Sequence, residues 1–82
     1  MTEVVWTKRA RDDLERLASR FQDDIAAGVT RYANQQHGDV KKLRGAMAGV
    51  FRLRIGDYRV FFALEDGRIV VYRVHHRQSA YR

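Results

Sequence analysis

The stretch from Val50 to Phe62 leaves this chain the least freedom, because apolar and charged residues alternate strictly along it. Successive side chains of a strand point to opposite faces, so Phe51, Leu53 and Ile55 take one face while Arg52 and Arg54 take the other. Gly56-Asp57 reads as a two-residue hairpin turn, with Gly supplying a positive φ at its first position. That register sets Ile55 opposite Tyr58, Leu53 opposite Val60 and Phe51 opposite Phe62, and on the other face Arg54 opposite Arg59 and Arg52 opposite Phe61. Guanidinium groups then crowd one sheet surface. Like charges directly opposed across strands are destabilising by about 0.2–1 kcal/mol per pair. The fold gains nothing from such a cluster, whereas a polyanion lying on it turns repulsion into binding.

The chain has 82 residues, enough for one domain over 1–82 with a small core. It has no Cys, so neither a disulfide framework nor a thiolate metal site is available, and packing alone must hold it. No apolar run approaches the length of a membrane span and the start carries no signal-like apolar region, so a cytoplasmic protein without membrane association is expected. Lys and Arg number 16 against 10 Asp and Glu, and the excess is uneven. From Lys41 to Arg82 there are two Lys and eight Arg against three acids, while residues 1–40 hold six bases and seven acids. A positive field of that kind favours nucleic acid, anionic lipid or an acidic protein, and charge alone does not choose among them.

Glu3 to Thr7 reads as an opening strand, with Thr7 placed to cap a helix beginning near Lys8. Ala10, Leu14, Leu17 and Ala18 mark one face of that helix, which is expected to end near Ser19 or Arg20. Phe21, Ile25, Val29, Tyr32 and Ala33 mark a second helix running to about Gln36. Both are too short to be stable alone and should lie against the sheet, on the Phe51, Leu53, Ile55 face. His37-Gly38-Asp39 closes the second helix, and Lys41 to Gly49 is expected to be a connection. Asp66-Gly67 is a type I′ turn signal that sets Leu64 opposite Ile69 and Phe62 opposite Val71. Continued without a break, it would set Val60 opposite Arg73. Either a bulge near Tyr72 re-aims the strand, or Arg73 emerges at the sheet end. The expected fold is α+β: an N-terminal strand, a helical hairpin, then an antiparallel three-stranded meander, making a four-stranded sheet.

This organisation, with Lys42-Leu43-Arg44-Gly45, with Phe51-Arg52-Leu53-Arg54 followed by Gly56-Asp57-Tyr58-Arg59-Val60, and with His76-Arg77 followed by Tyr81-Arg82, resembles the RelE/ParE superfamily of bacterial type II toxins, and most closely its RelE-like branch. The resemblance spans essentially the whole chain. It implies a toxin held by a RelB-like antitoxin, and a ribosome-dependent endoribonuclease, or mRNA interferase, that cuts messenger RNA in the aminoacyl site and stops translation. By the same resemblance Arg52, Arg54, Arg59, Arg77, Tyr81 and His76 are the candidate catalytic residues. Lys41, Lys42, Arg44, His75 and Arg82 are candidates for gripping RNA or the ribosome. RelE itself has lysines at the positions of Arg52 and Arg54, and arginine keeps its proton in a protein, so a mechanism needing a lysine base finds no support here.

Cutting RNA without a metal requires activating a ribose 2′-OH, stabilising added charge on the phosphorane and protonating the departing 5′ oxygen. Asp39, Asp57, Glu65 and Asp66 fall in or near turns without ligand spacing, so no metal or other cofactor is expected. Arg54, Arg59 and Arg77 could clamp the scissile phosphate, and neither Arg59 nor Arg77 is expected in the core. Tyr81 among several cations is a possible base, and His76 a possible base or acid. Two other functions fit the same residues. ParE-like members inhibit DNA gyrase and are not nucleases, though they usually lack the full basic set. A noncatalytic module that binds RNA or captures an antitoxin would use the same charged groove.

Overall fold

The computed structural model describes residues 2–78. Strand β1 (Val4–Trp6) leads into helix α1 (Lys8–Glu15) and helix α2 (Ser19–Gln35), followed by β2 (Asp39–Lys42), a single 3-10 turn at Gly45–Met47, β3 (Phe51–Ile55), β4 (Tyr58–Glu65) and β5 (Arg68–His76). The sheet order is β1-β5-β4-β3-β2, with β1 parallel to β5 and every other neighbouring pair antiparallel. Among the described residues no helix is long and apolar enough to cross a membrane.

The hairpin signals work as local chemistry dictates. Gly56 has φ 57°, and Asp66 and Gly67 have φ 53° and 76°, as primed turns require. The β3–β4 register is the expected one, from Phe51 opposite Phe62 to Ile55 opposite Tyr58. Between β4 and β5 the register shifts at Phe61/Phe62: Phe62 faces Val71, Phe61 faces Arg73 and Val60 faces Val74, leaving Tyr72 as the extra residue of a bulge. The bulge is the means by which Val74 rather than Arg73 enters the core.

The sheet has five strands, not the expected four. Asp39–Lys42 carries one apolar residue, Val40, and gives no alternating signal by itself. It becomes a strand because β3 offers an open edge and Val40 falls opposite the buried Leu53. Its exposed lysines then discourage a further strand from joining that edge.

Thr7 caps α1 as expected, its hydroxyl accepting the Ala10 N–H at 3.1 Å. The helix stops at Glu15, earlier than its apolar spacing suggests. Ala18 has extended backbone angles, and its carbonyl accepts the N–H groups of Phe21 and Gln22, so the chain has already turned into α2. Leu14 and Leu17 still pack against the core from either side of that turn.

Helix α2 covers the sheet through Ile25, Val29 and Ala33, against Leu53, Val60 and Phe62. The approach is close at Gly28, where an added Cβ would lie 2.6 Å from Ile55 Cδ1, so a side chain there would push the helix or Ile55 away. Burying a side chain such as Phe62 or Ile25 fully contributes about 1.5–3 kcal/mol.

Helix α1 packs over β1 and β5, and its start finishes what β1 begins. β1 stops pairing at Trp6 opposite Val71, which leaves the rest of the β5 edge without a strand. Thr7 takes over, its N–H donating to Val71 O at 3.0 Å and its hydroxyl to Tyr72 O at 3.3 Å. Six residues later Asp13 Oδ2 accepts the Val74 N–H and Arg73 Nε, both at 2.9 Å. The bulge is thus pinned from outside by two side chains.

Candidate functional site

The antiparallel register sorts the basic residues into rows on the sheet face away from α2. One row runs Asp39, Arg54, Arg59, His75 across β2, β3, β4 and β5; the next runs Lys41, Arg52, Phe61, Arg73. Arg54 is exposed and Arg52 half-buried. Arg59 departs from expectation: only 7% of it is exposed. Its Nη1 donates to Tyr58 O at 3.1 Å and Gly56 O at 3.3 Å, so the guanidinium folds back over the hairpin turn. Carbonyl oxygens of the tight turn supply the negative potential that lets a cation sit there beside Arg54.

Arg77 reaches the same end of the sheet by a different route. Its backbone N–H donates to Asp57 O at 2.6 Å, and its Nη1 lies 4.0 Å from Asp57 Oδ1. The end of β5 is thereby tied to the β3–β4 turn, with the Arg77 side chain exposed, as expected. Lys41, Lys42 and Arg44 are exposed, and they diverge: Lys41 shares the arginine face through its pairing with Arg52, while Lys42 pairs with Phe51 and points the other way. Tyr81 and Arg82 lie outside the described residues.

The two histidines of β5 part company. His76 pairs with Tyr58 and packs edge-on against its ring, centroids 5.4 Å apart. Its Nδ1 accepts the Gln78 N–H at 3.3 Å. Tyr58 in turn meets Phe21 of α2 at 5.5 Å. His76 therefore borders a groove of about 580 Å³ on the α2 side, shared with Gly28, Arg31 and His37, and alternation keeps it off the arginine face. His75 is the histidine opposite Arg59. Burial holds its imidazole below the usual value, Arg73 adds to the effect, Asp13 opposes it, and Arg9 lowers it further. These surroundings favour the neutral imidazole over the charged one.

Asp39 and Asp13 gave no functional signal in the sequence, whereas Phe61 and Tyr72 read there as aromatics of the arginine face, equally suited to stacking a base or to edge packing. Asp39 borders Arg54 only because β2 exists. Asp13 meets its partners across 60 residues of chain, and the bulge that sets Tyr72 beside Arg73 was one of two open alternatives.

A layer of two helices against a mixed sheet, with a basic row at the β3–β4 end, defines the class of small toxins built on the RelE-like fold. The family described as ParE toxin of type II toxin-antitoxin system, parDE, matches residues 4–81. Toxin RelG of Mycobacterium tuberculosis is 36% identical over 96% of this chain and 94% of its own length, and Toxin RelE of the same organism 34% identical over 96% and 84%. The toxin-antitoxin complex RelB-RelE of Methanococcus jannaschii contains a chain that superposes with TM-score 0.77 at 25% identity, covering 94% of both chains. The chain belongs to the RelE/ParE superfamily of type II toxins.

Proposed function

We propose that this toxin is a ribosome-dependent endoribonuclease that cuts messenger RNA in the aminoacyl site, with arginines rather than a metal meeting the charge of the reacting phosphate. The observation that carries the reading is the row Arg54, Arg59, His75, closed at its end by Arg77 through the bond to Asp57. In this reading the attacking 2′-OH passes its proton to a base as its oxygen bonds to phosphorus. Arg52, Arg54, Arg59 and Arg77 stabilise the phosphorane, and the 5′ oxygen leaves with a proton. His75, opposite Arg59 on the arginine face, takes the part of base that the sequence offered to His76. Tyr81 remains the second proton carrier. Lys41, Lys42, Arg44 and Arg82 grip phosphates of the message or ribosome.

The relatives solved as the RelB-RelE complex of Methanococcus jannaschii and the RelBE2 complex of Mycobacterium tuberculosis support a RelB-like antitoxin as partner, and the basic face suits an acidic segment of such a protein. Ribosomes as target place the protein in the cytoplasm. A ParE-like action on DNA gyrase is the second reading, favoured by the family description and by the withdrawal of the Arg59 guanidinium onto turn carbonyls. The test is to induce the chain alone and map messenger 5′ ends. New ends within codons of translated messages, absent from the same messages left untranslated, support the nuclease. Growth arrest with intact messages and falling gyrase activity supports the alternative.

A further inference from the structure

One row beyond the arginines, on the same sheet face, lies a second groove of about 610 Å³ with a mostly apolar lining. Phe61 forms its floor, and Met47, Val50, Ala63, Tyr72 and His75 its walls. The His75 ring stands edge-on to Phe61, centroids 5.8 Å apart at 73°, so the corner is already built. Phe61 pairs with Arg73, Tyr72 is the extra residue of the bulge beside it, and the Tyr72 hydroxyl bonds to Glu65. Arg73 is engaged by Asp13 and so acts as a wall whose charge is already partnered.

We propose that this groove receives an unpaired nucleobase of the RNA whose phosphate lies on the Arg54–Arg59 row, so that Phe61 and Tyr72 set which codon position is seated for cutting. The inference rests on the nuclease reading. Two residues of strand, about 6.8 Å, separate the Phe61 row from the Arg59 row, which suits a ligand joining an anion to a flat apolar ring. Arg52 and Lys41 share the Phe61 row of the sheet on the β3 and β2 side, next to the groove. An aromatic floor takes any base by its π-face, while the walls set the size. Met47 and Tyr72, 47% and 39% exposed, are large apolar groups left at the surface where an RNA strand would cover them.

The test is single-turnover cleavage by the full chain on ribosomes programmed with a message carrying an abasic nucleotide at each aminoacyl-site position in turn. The intact protein should slow roughly 5- to 150-fold at one position and little at the others. Tyr72→Ala should lose a similar factor on the intact codon and show no further loss at that abasic position, whereas Tyr72→Phe, which keeps the ring, should behave as the unaltered chain. Met47→Ala, in an exposed turn, should blunt the same positional effect and serves if Tyr72→Ala does not fold. Losses from Tyr72→Ala and the abasic site that simply multiply overturn the proposal, as does indifference to every abasic site. If Tyr72→Ala only weakens binding of a protein partner, the groove seats a side chain and the proposal also fails. Absence of cutting on the intact message by the unaltered chain overturns the nuclease reading itself, which is a separate result.

Discussion

Arg54 and Arg59 face each other across one ladder, yet the same truncation should affect them differently. Arg59→Ala removes two bonds to turn carbonyls and should lower stability by about 1–3 kcal/mol, read as a lower urea midpoint at unchanged slope. Arg54→Ala, at an exposed position relieved of like charge, should stay within about 0.5 kcal/mol of the parent. On the nuclease reading both should slow cutting by about 100-fold, so Arg54→Ala separates chemistry from folding. His75 carries a pH signature. Its folded pKa is lowered, so above the unfolded value near 6.5 both states are neutral and nothing is lost. As pH falls below that value the unfolded chain takes up a proton first, and stability declines until the folded imidazole titrates too. His75→Gln should therefore lose less melting temperature than the parent between pH 7.5 and pH 5. The sequence placed Arg54 and Arg59 on one face by alternation, and only the bulge brought His75 to them. It did not show that Arg59 is buried, because a long side chain's burial depends on which backbone carbonyls it can reach after the turn has formed.

At the scale of elements, both hairpins were legible because a turn and the register it sets are local. Gly56-Asp57 and Asp66-Gly67 carry their backbone requirement within two residues, and each strand repeats its pattern every second position. Strand β2 and the early end of α1 were not. One is made by an open edge and a buried neighbour, the other by a chain reversal that apolar spacing ignores. Asp13 is the extreme case, a helical carboxylate that takes the place of a missing strand for Val74 while pairing with Arg73. Asp13→Ala should cost about 1–3 kcal/mol, since it orphans an edge N–H and a partly buried guanidinium. Amide exchange should accelerate at Val74 more than at Ile69, whose N–H bonds to Glu3 O.

At the scale of the whole molecule, a chain of net charge +6 concentrates its excess in the second half, and folding lays much of that half on one sheet face while most acids of the first half, Glu3 and Asp39 excepted, ride on the helices. Binding of single-stranded RNA or of ribosomes should weaken steeply with salt. Neutralising Lys41, Lys42 and Arg44 together should flatten the slope of log affinity against log salt by up to roughly 2, with each phosphate contact worth about 0.7. The linear sequence by itself determined the α+β class, the two turns, the β3–β4 register and the sharing of one face by Arg52, Arg54 and Arg59, because each follows from period and turn chemistry within a dozen residues. Only the tertiary structure decided that β2 joins the sheet, that Tyr72 bulges, that His75 rather than His76 meets the arginines and that Asp13 locks the last strand. Those outcomes turn on which strands and helices meet, in the case of Asp13 and Arg73 across 60 residues, and on a one-residue shift that moves every later side chain to the other face.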